Sequence, residues 1–427
     1  MSAVEASLPV AGRRRNLIEG AWALVGQVGS GLVLLVGTRL ITELVPPSVF
    51  GEVALFNGLV GLGVTLLAYP FISAGVRLLP EYAHRGRKSL LIAGLERVMG
   101  RAIFLACLLL ALGAMVYVGW RGADAWPFLA AIPLLIVTMR RELGIQLLIG
   151  ERRQREASLW QTADSLLRPL ITISLVLWLG ARTDLILLSY CLAGLSANLA
   201  GARFHRRPDE RQEHVQPQVL RSAHTDILRF ALPLIPMELL SWFNALGDRY
   251  VIGYFMTAED VGLYAAAYTL TNEAFHRAAI VLLRTFQPVY FGHHSHGRRQ
   301  RAFKTFALWT LAIVSLGVGG VTALMLLKDW VAGLLLAPVY RAAADLMPVI
   351  GIGCALQALG TVAAQPLYAR KTTRRLLIGR GLGALTAAVA LPLMVRAHGL
   401  MGAAWAAPIY FGVEAGVMAL VARFRVS

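Results

Sequence analysis

A few ionisable residues stand inside long apolar stretches, at spacings that could do chemistry. Glu273 and Arg277 are four residues apart in the apolar run 261–288, with His276 beside Arg277. One helical turn separates them, so they share a face. Asp164 and Arg168 repeat that spacing in the run 158–180. Glu238 lies near the middle of 227–256 and Glu414 near the middle of 400–422. Arg39, Asp248 and Arg249 lie about two turns in from the outer surface of the membrane. An arginine steadied by a carboxylate offers a permanently charged, bidentate partner to an anion such as a phosphate. The alternative is that each pair neutralises itself and only locks helices together. Cys107, Cys191 and Cys354 are scattered through apolar runs and form neither a disulfide framework nor a metal cluster. No metal or other cofactor is expected.

The segments that must position these residues are apolar throughout. Of 427 residues, 57% are hydrophobic and only 15% charged, against about 45–50% and about 25% in an ordinary soluble domain. That composition excludes a plain water-soluble enzyme. A hydrocarbon core about 30 Å thick takes roughly 20 helical residues. Measured so, the apolar runs lie near 17–42, 52–76, 102–120, 126–149, 158–180, 184–203, 227–256, 261–288, 305–327, 342–368, 376–396 and 400–422. The expectation is an all-α, polytopic membrane protein of twelve transmembrane helices. Arg13, Arg14 and Arg15 precede a run too long for a cleavable signal.

The net charge of +17 would suggest nucleic acid in a soluble protein. Its distribution gives a different reason. The N-terminal arm, the C-terminus and the connections 77–101, 140–156, 203–221, 284–304 and 370–380 hold 31 of the 41 Lys and Arg residues. The alternate connections are short and carry few positive charges. By the positive-inside rule both termini are cytoplasmic, and nucleic acid is not a partner. Arg140, Arg141 and Glu142 fall before the fourth run ends and so lie a turn or two inside the membrane. The tract 293–301, rich in His and Arg, reads as a solvated cytoplasmic loop or as a metal or anionic-lipid site.

The sequence also repeats itself. Gly37-Thr38-Arg39-Leu40-Ile41 leads to Phe50-Gly51-Glu52-Val53-Ala54, and Gly247-Asp248-Arg249-Tyr250-Val251 leads to Val261-Gly262-Leu263-Tyr264-Ala265. The glycines are 14 residues apart in the first case and 15 in the second. Pro80-Glu81-Tyr82 and Pro288-Val289-Tyr290 correspond further on. Two six-helix bundles follow, 1–203 and 223–427, joined by a polar cytoplasmic linker at 204–222. An even number of spans per half gives both the same orientation and, with a central cavity, the plan of an alternating-access transporter. Arg39 and Arg249 occupy equivalent repeat positions, so equivalent jobs are expected of them.

These motifs resemble those of bacterial polysaccharide flippases of the multidrug/oligosaccharidyl-lipid/polysaccharide exporter superfamily. The stretch Asp248-Arg249-Tyr250-Val251-Ile252-Gly253-Tyr254-Phe255 with Val261-Gly262-Leu263-Tyr264-Ala265-Ala266-Ala267-Tyr268 is similar to that family's seventh-to-eighth helix hairpin. Thr38-Arg39-Leu40-Ile41 with Phe50-Gly51 resembles its first hairpin, and 336–350 its entry into helix ten. Pro338 departs from the pattern, where a glycine is expected.

The resemblance implies a polyprenyl-diphosphate-linked oligosaccharide as substrate, for cell-surface polysaccharide such as lipopolysaccharide, with the sugars crossing through the interior and the lipid tail left in the bilayer. Arg277, steadied by Glu273, is then the first candidate for the diphosphate. Arg39, Arg249, Asp248, Arg168 and Glu238 complete the substrate-binding candidates. Trp22, Gln27, Asn57, Tyr69, Trp242, Asn244, Tyr264, Tyr268, Gln357 and Gln365 suit sugar faces and hydroxyls, or serve as belt and packing residues. No ATPase motif is present, so the energy comes from an H+ or Na+ gradient or from consumption of the substrate. Other polysaccharide-assembly membrane proteins are candidate partners.

Two relatives compete with this reading. A drug or cation exporter would want net acidic depth, whereas the deep set here holds at least as much Arg as isolated acid. A lipid-linked peptidoglycan precursor flippase commonly has fourteen spans. A membrane enzyme would need a sizeable outer loop bearing chemistry, and 328–341 offers neither a His nor a carboxylate pair. No catalytic residue is assigned.

Overall fold

A computed structural model describes residues 29–122, 124–151, 153–205, 217–370 and 372–423, and among them every regular element is helical. In chain order these are α1 (29–44), α2 (Pro47–Leu67), α3 (Tyr69–His84), α4 (Lys88–Arg121), α5 (Trp126–Gly150), α6 (Gln154–Leu179) and α7 (Thr183–His205). They continue as α8 (Pro217–Ala231), α9 (Ile235–Phe255), α10 (Ala258–Ser295), α11 (Arg299–Leu335), α12 (Leu346–Ala363), α13 (Gln365–Ala369) and α14 (Thr373–Arg423). The twelve expected spans are all accounted for. Three of them are broken by proline: α2/α3 at Tyr69-Pro70, α8/α9 at the 3-10 turn Leu232–Leu234, and α12/α13 at Gln365-Pro366. Proline lacks the amide proton and fits the first turn of the helix that follows it.

The longest helix contains two spans. At Gly399 the backbone turns to φ 58°, ψ −139°, outside helical geometry, and the chain folds back on itself. A Cβ at Gly379 would meet Met418 and one at Gly383 would meet Glu414, as an antiparallel hairpin requires. Arg370 donates to the carbonyl of Ala422 at 2.8 Å, closing the far end.

Eight helical stretches are long and apolar enough to cross a membrane by length and hydropathy alone. One of these stretches, within α14, holds two spans, and α1 is described only from residue 29. The other two spans missing from that set are α5 and α10, interrupted by Arg140-Arg141-Glu142 and by Asn272-Glu273 with His276-Arg277. Arg141, Glu142, Glu273 and Arg277 thus lie in spans that fail the apolar criterion, whereas Asp164, Arg168, Asp248, Arg249 and Glu414 lie in spans that pass it. Exposed aromatic rings, Trp120, Trp126, Trp178, Tyr254 and Trp330, sit at helix ends opposite the basic connections, with Trp178 as much as 88% exposed. That is the placement of an interfacial aromatic belt.

The basic connections are more helical than a loop reading suggests. α4 begins at Lys88 and α10 runs to Ser295, so 77–101 and 284–304 are mostly helix interrupted by tight turns. Gly297, at φ 70°, makes the second of these turns. The tract 293–301 is therefore a helix–turn–helix corner. No group of three His, Cys, Asp or Glu residues able to hold a metal occurs among the described residues.

By contacts, the chain gathers into two compact units. One comprises α1, α2 from Leu55, and the chain on to Trp242; the other comprises Val45–Ala54 and everything from Phe243. The division falls within α9 because α8 packs against α3 and α4. Tyr82 donates to Asp226 at 2.7 Å, and Gly94 faces Ala223. Most of the expected linker, residues 206–216, lies outside the described residues.

The short piece Val45–Ala54 joins the C-terminal unit through a crossing of glycines. A Cβ at Gly51 would collide with the carbonyl of Ala258 and the amide of Gly262, and a Cβ at Gly262 with the carbonyl of Pro47 and the amide of Gly51. Each glycine thus meets the other and the residue four before it. This reciprocal, two-fold-like contact forms between the two glycines that mark the sequence repeat. Tyr340 completes it, donating to the carbonyl of Val45 at 2.7 Å and meeting Phe50 edge-on at 5.8 Å. Pro338 starts the 3-10 helix Pro338–Asp345 that carries Tyr340, after an extended Ala337; a fixed φ serves there as well as glycine would.

Small residues let helix backbones approach closely, and backbone atoms cannot yield to an added methyl. Gly51→Ala and Gly262→Ala should each cost about 1–3 kcal/mol, the scale of overpacking. Gly113→Ala, whose added Cβ would meet nothing within 4 Å, serves as the control. Melting temperatures in detergent should fall for the first two and hold for the third; equal behaviour of all three would refute a tight crossing.

Candidate functional site

Two buried polar clusters form, one in each unit. In the N-terminal unit the centre is Asp164 on α6, 5% exposed. Arg168, one turn on, places Nε 3.0 Å from Asp164 Oδ2. Arg141 on α5 reaches the same carboxylate and also Glu142 at 2.7 Å. Tyr69, at the break between α2 and α3, donates to Glu142 at 3.2 Å. The guanidinium of Arg168 stacks 5.5 Å from the centroid of Tyr190 on α7. Glu238, in the first turn of α9, lies within electrostatic range of Tyr69. The structure therefore brings Asp164, Arg168 and Tyr69 into one network.

The Asp164–Arg168 couple is not a closed pair, because Arg141 shares the same carboxylate. Two guanidiniums and two carboxylates alternate, a pattern that offsets the cost of taking charge out of water only when geometry and hydrogen bonding are good. Arg141 and Glu142, which the sequence places inside the membrane without a role, and Tyr190 are members of the site that sequence reasoning does not assign to it. A usable signal exists: the turn near Arg153 makes α5 and α6 a hairpin, whose register places 141 opposite 164.

In the C-terminal unit Asp248 is 2% exposed. It accepts from Tyr264 at 2.8 Å and from the amide of Arg249 at 2.8 Å. Arg249, also buried, lays its guanidinium 5.1 Å over the ring of Tyr268. Its Nη1 finds no hydrogen-bond acceptor among the described residues. On the neighbouring turn of α9, Asn244 donates to Glu414 of α14 at 3.2 Å. Tyr410 and Tyr264 are fully buried around this cluster.

Arg277 and Glu273 form the expected one-turn ion pair on α10, with side chains 23% and 20% exposed. They are enclosed without being sealed. His276 is exposed.

Arg39 and Arg249 share a repeat position without sharing surroundings. Arg39 pairs with Glu43 at 2.5 Å at the partly exposed end of α1, whereas Arg249 is enclosed beneath Tyr268. Their burial differs, so the equivalent jobs expected of them are not matched by equivalent surroundings. Several residues suited to sugars spend their polar groups internally. Trp242 donates to the carbonyl of Gly58 at 3.0 Å, Tyr264 to Asp248, and Gln365 to Thr361 at 3.0 Å. Trp22 and Gln27 lie outside the described residues.

A family profile described as "Polysaccharide biosynthesis protein" matches residues 18–288. Among solved structures, a lipid II flippase MurJ in an inward closed conformation is similar at TM-score 0.72 and 10% identity, over 94% of this chain and 86% of that one. An inward-facing multidrug resistance MATE transporter of the MOP superfamily is similar at TM-score 0.62 and 18% identity, over 96% and 93% of the two chains. A mutant form of the Vibrio cholerae MATE transporter VcmN gives 0.59 and 13% identity, over 96% of each chain. At these identities the likeness is one of fold. No curated protein matches the sequence.

Loss of the enclosed Arg249 leaves a buried carboxylate without its neighbouring cation, a change worth about 3 kcal/mol or more. Loss of Arg39 breaks a partly exposed pair, worth about 0–1 kcal/mol. Arg249→Ala should therefore lower the melting temperature and membrane abundance markedly and Arg39→Ala hardly at all. Equal effects would restore the equivalence that the repeat implies.

Proposed function

We propose that this chain, which belongs to the polysaccharide biosynthesis protein family, moves a polyprenyl-diphosphate-linked oligosaccharide across the cytoplasmic membrane by alternating access. Both termini face the cytoplasm in this reading, and the product feeds cell-surface polysaccharide. Family membership supports the polysaccharide context, and the likeness in fold to a lipid II flippase supports a lipid-linked substrate.

The observation that carries the proposal is Arg277. It lies at mid-length of a helix that crosses the membrane, held on one side by Glu273 and still partly open. A charged residue at such depth costs about 2.5–3.5 kcal/mol on insertion scales, and no packing role requires a guanidinium there. A diphosphate entering the protein must shed water, and an arginine already held in a planar fork replaces that water with two parallel hydrogen bonds. Glu273 orients the fork and tempers its field, so the anion is bound and can still be released.

A second reading has its own support. Arg141, Arg168, Arg249 and Arg277 each stand beside a carboxylate, and with Glu238 and Glu414 the carboxylates of these clusters outnumber their arginines. An exporter of cationic compounds would use that balance, and transporters of the same fold include multidrug resistance proteins.

Complementation of a flippase-deficient strain separates the two. Wild type should restore surface polysaccharide. Arg277→Ala should reduce it about tenfold or more at unchanged membrane abundance, since a buried anion left without its cation costs several kcal/mol. Arg277→Lys should keep part of the activity, retaining charge without the fork, and Glu273→Gln should be milder than Arg277→Ala. Full polysaccharide from Arg277→Ala would remove the anion-binding role. Raised tolerance to cationic drugs with no restored polysaccharide would establish the exporter instead.

A further inference from the structure

A cavity of about 630 Å³ opens in the N-terminal unit, near the basic end of its helices. It lies between α4 and α5, with Trp160 of α6 and Asn198 of α7 also in its lining. The volume falls in the range of pockets built for small molecules, roughly 300–1,000 Å³, and far exceeds the needs of one phosphate. One part of its wall is apolar, formed by Ile92, Met99, Ile103, Leu143 and Leu147, and the rest carries polar and charged side chains. None of its lining residues belongs to the Arg141–Asp164–Arg168 network.

Arg140 is the unusual member of the lining. It stands ten residues before the end of α5, about 15 Å along the helix from Gly150, so it sits well below the membrane edge. Its neighbours Arg141 and Glu142 are paired, but Arg140 is exposed and makes no ion pair or hydrogen bond among the described residues. A long cationic side chain at that depth lays its stem on apolar surface and seeks an anion or the headgroup layer. At the cavity rim, Glu151 is held by Lys88 at 2.6 Å and by Arg153 at 3.5 Å.

The charges of the lining point to the ligand. Lys88, Arg140 and Arg153 face Glu96 and Glu151, leaving one net positive charge. That balances a single phosphodiester. A diphosphate would bring more negative charge than the lining can neutralise. We propose that this cavity seats one anionic phospholipid of the cytoplasmic leaflet, with its phosphodiester on Arg140 and the start of its acyl chains along the apolar wall. The site is separate from Arg277 and does not depend on the substrate proposed above. A lipid held there is a fixed part of the protein's surface.

Lipid retention by the full-length protein in neutral detergent, read by native mass spectrometry, tests this directly. The probes are phosphatidylglycerol, phosphatidylcholine, farnesyl diphosphate and inorganic phosphate, each added alone and in competition. Phosphatidylglycerol should bind about tenfold more tightly than phosphatidylcholine, whose phosphodiester is already offset by its own choline cation. Arg140→Gln should abolish the preference and Arg140→Lys should keep most of it. Gly100→Trp offers an independent variant, because Gly100 lines the cavity and a Cβ there would meet nothing within 4 Å. Its indole should fill the space and displace the lipid without disturbing the helix. The proposal fails if wild type shows no preference, or if the preference survives in Arg140→Gln or in Gly100→Trp. Stronger binding of farnesyl diphosphate than of phosphatidylglycerol would overturn the phosphodiester assignment. Equally strong binding of inorganic phosphate would overturn the lipid.

Discussion

The cost of holding charge away from water governs this structure. A carboxylate or guanidinium inside a bilayer is tolerated only when a partner replaces the water it has lost. Asp164 shows how the debt is met: two arginines from two helices converge on one buried carboxylate, and Glu142 and Tyr69 take up what remains. The hairpin of α5 and α6 and the break at Tyr69 both serve that arrangement. Asp248 is satisfied differently, by a tyrosine hydroxyl and a backbone amide, while Arg249 rests on an aromatic face. Both clusters are costly to assemble, and removing one member exposes the cost of the rest.

Close backbone approach is the second requirement. Val45–Ala54 can join the C-terminal unit only because glycine faces glycine where α2 and α10 cross. The reciprocal pattern of that contact is the structural form of the sequence repeat. Gly399 does related work within α14, turning one continuous apolar segment into two antiparallel spans.

The spans, the repeat and the Glu273–Arg277 pair could be read in the sequence because each depends on local spacing: apolar length, glycine intervals, or one helical turn. Contacts between distant segments could not be read so easily. Nothing near Asp164 announces that Arg141 will share it, although the hairpin register contains that fact. Tyr264 looked suited to a sugar and is instead committed to Asp248, because burial of a carboxylate takes the nearest donor. Arg39 and Arg249 look alike in the repeat, yet the exposure of one and the enclosure of the other depend on packing that the motif does not encode. The cavity around Arg140 belongs to the same class, since its walls come from four helices.

The central claim is that a partly open arginine, held in a membrane-spanning helix by its own carboxylate, receives the diphosphate of a lipid-linked oligosaccharide. The most direct measurement uses purified protein in proteoliposomes that carry a fluorescent polyprenyl-diphosphate oligosaccharide, with a membrane-impermeant quencher added outside. With wild-type protein the protected fluorescence should decay to near zero; with Arg277→Ala it should persist as in protein-free vesicles. Decay at the same rate with Arg277→Ala as with wild type, or no decay with wild type, would contradict the account.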